Sequence, residues 1–158
     1  MKISIHLLII TILLISILKG CKKGGGNGPD PVVPDTTKPT ISVTKPTAGQ
    51  IFASGNTIIF EATFSDNVKL KSYEIEVSKV VTGGFILKNV PIPEPFSYIK
   101  SSTSFNPDVK QQNITLNDIT IPANNTTGIV TPGNYNFKVT CLDGSDNSAS
   151  TTLVISIN

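Results

Sequence analysis

The sequence predicts an all-β sandwich of about seven short strands over residues 39–158. Three observations carry that expectation. From Thr40 onward the apolar residues recur with period two rather than 3.6. Clusters of Gly, Pro, Asn and Asp punctuate the runs at short intervals, and the runs are rich in β-branched and aromatic residues. No stretch of this region carries an apolar stripe at helical spacing.

Along the chain, Ile41 and Val43 open a strand that Pro46 and Gly49 end. Ile58, Phe60, Ala62 and Phe64 alternate with Thr57, Ile59, Glu61 and Thr63, so the first set faces a core and the second faces away from it. Ser65-Asp66-Asn67 then turns the chain. Tyr73, Ile75 and Val77 alternate with Glu74 and Glu76 until Gly83-Gly84 breaks the run. Between Phe85 and Phe105, Pro91, Pro93 and Pro95 remove three amide donors, so this stretch is expected at an edge or in a loop.

Ile114 and Leu116 begin another strand, and Ile119 and Ile121 continue it one register out, which predicts a β-bulge around Asn117-Asp118. Pro122 to Pro132 reads as a long polar loop. Gly133 to Asp143 alternates cleanly, turns through Gly144-Ser145-Asp146-Asn147, and returns as Thr151, Leu153, Ile155 and Ile157. Tyr135 opens the penultimate strand just after a glycine, which resembles the tyrosine corner of immunoglobulin-like sandwiches. The resemblance implies an immunoglobulin-like or fibronectin-like arrangement.

The Lys38-Pro39-Thr40 start, the Phe64-Ser65-Asp66-Asn67 turn and the strand from Gly133-Asn134-Tyr135 to Asp143 resemble a family of short Bacteroidota lipoproteins. That family carries a domain of unknown function with an immunoglobulin-like fold. The resemblance covers most of residues 38–158 and implies location and architecture, not a reaction.

Residues 1–20 read as a signal peptide: Met1-Lys2, an apolar stretch from Ile3 to Leu18, then Lys19-Gly20. The stretch is 16 residues long and is interrupted by Ser4, His6, Thr11 and Ser16, whereas a spanning helix needs about 20 apolar residues. Leu18-Lys19-Gly20-Cys21 resembles the lipobox cut by lipoprotein signal peptidase, which implies acylation at Cys21, with Lys19 a departure at its position. Two or more acyl chains hold a protein stably at a bilayer. Residues 21–38 then form a Gly- and Pro-rich tether. Within it, Asp35-Thr36-Thr37 resembles an envelope O-glycosylation acceptor, which implies a sugar at Thr36. Lys22-Lys23-Gly24 lacks the acidic residues of surface-export signals, which favours the periplasmic face of an outer membrane.

Composition narrows the chemistry. All 13 basic residues are Lys, and removing Lys2 and Lys19 with the signal leaves 11 Lys against 11 acidic residues. A near-neutral chain without Arg gives no support to phosphate-driven nucleic-acid binding. The one histidine, His6, lies in the signal. Serine and cysteine nucleophiles generally recruit His, and zinc sites use His or several Cys. The expectation is therefore a non-catalytic module without a cofactor, calcium excepted. Carboxylate, lysine and oxygen-ligand metal chemistry stay open. With Cys21 acylated, Cys141 has no partner and reads as a buried thiol.

Three sites follow as candidates. Ser65-Asp66-Asn67 and Ser145-Asp146-Asn147 repeat one tripeptide on turns expected at the same end of a sandwich. Asp66, Asp143, Asp146 and Asn147 could converge there as hard oxygen ligands for Ca²⁺, and the same residue types also cap turns. Glu74 and Glu76 share one face of a strand, as a glycosidase pair would, but a core on the opposite face leaves both in solvent, without the burial that tunes a general acid. Phe85, Phe96 and Tyr98 form either an aromatic platform or core residues under a loop. The expected partners are the membrane, through the anchor, and a protein or carbohydrate ligand. The alternatives are a calcium-stabilised adhesin-like domain and a carboxylate-dependent glycan-active enzyme.

Overall fold

Apolar side chains two residues apart leave every strand with one dry face, and the way these faces close on each other sets the architecture. The computed structural model describes residues 33–81, 95–124 and 130–158. The strands are β1 (Thr40–Lys45), β2 (Ile51–Phe52), β3 (Thr57–Ser65), β4 (Leu70–Lys79), β5 (Tyr98–Ser104), β6 (Gln111–Thr120), β7 (Gly133–Asp143) and β8 (Ser148–Ile157). The described residues contain no helix.

The strands form a three-stranded sheet in the order β1-β3-β6 and a five-stranded sheet in the order β2-β8-β7-β4-β5. All pairings are antiparallel except β2 with β8, which run parallel. The three-stranded sheet and the five-stranded sheet built around β4, β7 and β8 pack as a β-sandwich. The all-β sandwich expected from the periodicity is the fold observed. The compact unit runs from Pro34 to Asn158 and so includes residues 34–38.

The core lies between the sheets. Ile58, Phe60, Ala62 and Phe64 of β3 face Tyr73, Ile75 and Val77 of β4 and Tyr135, Phe137, Val139 and Cys141 of β7. Across the gap Phe60 stacks on Phe137 with ring centroids 5.7 Å apart. Phe64, Tyr73 and Phe105 form a mutual cluster with centroids 5.1–5.4 Å apart, within the range where aromatic pairs add to simple burial.

Tyr135 forms the expected corner. Its ring is fully buried, its hydroxyl donates to the Thr131 carbonyl four residues upstream, and the same oxygen accepts the Phe96 N–H at 3.3 Å. The Lys79 ammonium sits 4.8 Å from the ring centroid. The corner thus ties β7 to the segment leading into β5.

Two further expectations meet the structure directly. In the β3–β6 pairing Ile58 lies opposite Ile119 and Phe60 opposite Leu116, which places the extra residue at Asn117-Asp118, the predicted bulge. The stretch from Phe85 to Phe105 ends in β5, an edge strand, while Phe85, Pro91 and Pro93 fall outside the described residues. β2 was not legible as a strand. Asp118, at the bulge, pairs with Lys100 of β5 at 2.9 Å and joins the edges of the two sheets. The hydrogen bond to Lys100 holds the Asp118 carboxyl below its usual range and raises the Lys100 ammonium.

Truncating Phe137 to Ala removes one half of the central inter-sheet stack, and the expected cost is about 3–5 kcal/mol. Tyr135→Phe keeps the ring and deletes only the corner bonds, with an expected cost of about 1–2 kcal/mol. Urea unfolding of both variants against the wild type checks the order and the sizes.

Candidate functional site

Three carboxylates meet at the end of the sandwich where β3 turns into β4 and β7 turns into β8. Asp66 stands at the first turn, Asp143 closes β7, and Asp35 comes from the segment ahead of β1. The pairing of Thr40 with Ser65 and of Leu70 with Asp143 brings these three chain positions to one end. One oxygen from each lies within 4.8 Å of the others.

Each carboxylate also serves the backbone around it. Asp66 Oδ1 accepts the N–H groups of Val68 and Lys69, both at 2.8 Å, and so caps its own turn. Asp35 Oδ1 accepts the Thr37 N–H at 3.0 Å and the Asn67 side-chain amide at 3.2 Å. Asp143 Oδ1 accepts the Ser145 and Asn147 N–H groups, both at 2.8 Å, and its Oδ2 accepts Asn147 Nδ2 at 2.7 Å. Asn147 Nδ2 also donates to the carbonyls of Asp35 at 3.0 Å and Thr37 at 3.3 Å. The side chain of Asn147 therefore stitches the N-terminal segment to the β7–β8 turn.

Asp143 is fully buried. Burial alone raises a carboxyl pKa, but the bonds from the Asn147 side chain and from the Asn147 and Ser145 backbone, with the field of Lys71, outweigh it and hold the group below its usual range. Beneath the cluster, Cys141 is buried. Burial, with the negative charges of Asp66 and Asp143, pushes its thiol up to about 12, so it is protonated at neutral pH.

Of the four residues expected to converge, Asp66 and Asp143 do. Asn147 joins them, but as a hydrogen-bond donor. Asp146 does not: it adopts a positive φ of 67°, a conformation Asp tolerates better than most residues, and its exposed carboxylate pairs with Lys71. Asp35 is the member that sequence reading placed in the tether. The one signal for it was the Asp-Thr-Thr tripeptide, whose Asp bonds the N–H two residues on.

The remaining candidates separate. Glu74 and Glu76 sit on the outer face of β4, while Tyr73, Ile75 and Val77 fill its core face. Phe96 is buried and packs against Tyr135 with centroids 6.3 Å apart, and Tyr98 is partly buried, so these two are core residues and not a platform. Cys21 and Phe85 lie outside the described residues, and Thr36 is exposed.

Known proteins add a family and distant folds. The chain is similar to a mutant β-glucosidase from Listeria innocua in complex with laminaribiose, at 10% identity and a TM-score of 0.38 over 74% of this chain. It spans only 16% of that glucosidase. It is also similar to BslA, a bacterial hydrophobin, at 14% identity and a TM-score of 0.34, with 77% of this chain and 96% of that one covered. No curated protein matches. The family model described as Domain of unknown function (DUF4625) matches residues 23–158, and the chain belongs to that family.

The bonds to Asp143 set a pH dependence. Because its folded-state pKa is lowered, its contribution is fully present above the unfolded value of about 3.9 and is lost as pH falls through the lower folded value. Asp143→Asn deletes the charge, with an expected cost of about 1.5–3 kcal/mol at pH 7. The gap between wild type and variant should close below about pH 4, which urea melts across the acid range will measure.

Proposed function

We propose that this member of the domain-of-unknown-function family is a lipid-anchored, non-catalytic module of the cell envelope. An acylated Cys21 and a Gly/Pro spacer hold the sandwich within reach of a protein or carbohydrate partner. The reading places the anchor in an outer membrane, on its periplasmic face, because Lys22-Lys23-Gly24 carries no acidic export signal.

The observation that carries the reading is the character of the interior. Among the described residues Asp143 is the one buried charged side chain, and both its oxygens are bonded within its own turn. A general acid or nucleophile needs a tuned group that a substrate reaches. Cys141 is buried and protonated, Glu74 and Glu76 stand on the solvent side of β4, and the one histidine lies in the expected signal. Among the described residues these features favour surfaces that bind over groups that react.

Metabolic labelling with an alkyne fatty acid tests the anchor. Wild type should carry the label and fractionate with membranes, and Cys21→Ala should lose the label and appear in the soluble envelope fraction. Label retained on the Ala variant, or an unlabelled wild type, would remove the reading.

A further inference from the structure

Two of the three clustered carboxylates carry an oxygen that the protein leaves unsatisfied. Oδ1 of Asp35 and of Asp66 is hydrogen-bonded, but Oδ2 of each exposes less than 1 Å² and has no partner. A buried carboxylate oxygen without a donor has lost its water and received nothing in return. Three negative groups within 4.8 Å add mutual repulsion. The nearby cations are committed elsewhere: Lys71 pairs with Asp146, and Lys69 with Asp108 at 3.8 Å. Of the two side-chain amides at the cluster, Asn67 donates to Asp35 Oδ1, and Asn147 spends its donors on Asp143 Oδ2 and two backbone carbonyls. What the arrangement lacks is a compact positive charge that binds oxygen.

We propose that Asp35, Asp66 and Asp143 form a Ca²⁺ site that clasps the N-terminal segment to the loop end of the sandwich. The donor set selects the ion class. Every ligand is a hard oxygen, and the described residues contain no histidine. Ca²⁺ accepts six to eight oxygens in irregular geometry and completes its shell with water and carbonyls, whereas Mg²⁺ demands a near-ideal octahedron. The carbonyls of Asp35 and Thr37 lie beside the cluster as further oxygens. The three ligands come from three separated stretches of chain, so the ion would fix where the spacer leaves the domain. This site stands independently of the anchor at Cys21.

The substitutions that test it preserve the turns. Asp35→Asn and Asp66→Asn each keep an Oδ1 acceptor for the existing bonds and replace only the charge and the unsatisfied oxygen. Purified full-length protein, stripped with EDTA, is titrated calorimetrically with Ca²⁺ and with Mg²⁺ and melted with and without Ca²⁺. Wild type should bind one Ca²⁺ with Kd of about 10⁻³ M or tighter, and its Tm should rise by roughly 5–10 °C at saturation. Mg²⁺ should bind more weakly. Each Asn variant should lose at least about tenfold in Ca²⁺ affinity, and the order of melting should invert: variants at or above wild type in EDTA, below it in Ca²⁺. No heat and no Tm change in wild type would overturn the site. So would Asn variants that bind as wild type does, or that lose the same stability in both buffers, the mark of turn capping alone. Equal affinity for Mg²⁺ would overturn the assignment to Ca²⁺.

Discussion

The interlock of Phe60 with Phe137, continued by Phe64 with Tyr73 and Phe105, is the contact on which the other features rest. These rings join the smaller sheet to the larger one, and a slip of one residue in β3 or β7 would turn them to solvent. Because that register is fixed, the strand ends are fixed with it. Thr40 then stands opposite Ser65 and Leu70 opposite Asp143, and three acidic side chains far apart in sequence arrive at one end. The carboxylate cluster is in this sense a product of the core.

At the opposite end the same logic produces the corner. Tyr135 is held by the sheet, and its hydroxyl then reaches back to Thr131 and receives Phe96. Between the ends, the bulge at Asn117-Asp118 brings an exposed carboxylate to Lys100 on the neighbouring sheet. An exposed ion pair of this kind contributes little to stability. Its role is positional, since it joins two edge strands that are not paired in one sheet.

What could be read from the sequence follows from how local each signal is. The core faces of β3, β4 and β7 were legible because alternation is a property of a single strand. The bulge was legible for the same reason, as a break in the alternation between Leu116 and Ile119. β2 was hidden: two residues, Ile51 and Phe52, have no period, and their strand character exists only through parallel pairing with Ser156 and Ile157. At the cluster, Asp66 and Asp143 announced themselves as turn residues. Asp146 looked equivalent to Asp66 because the tripeptides match, but its left-handed backbone and the nearby Lys71 set it apart. Asp35 sat among prolines and threonines that read as spacer, and its membership depends on contacts with Asn67 and Asn147, 32 and 112 residues away. A long-range contact of that kind leaves no periodic trace.

The roof of acidic groups over Cys141 bears on how long the molecule keeps its shape. Disulfide scrambling and peroxide damage both begin with a sulfur anion, and ionisation here is opposed by burial and by Asp66 and Asp143 above it. An unpaired cysteine is ordinarily a weak point in any oxidising setting. In this fold burial keeps the sulfur as a protonated thiol, away from the solvent that carries oxidants.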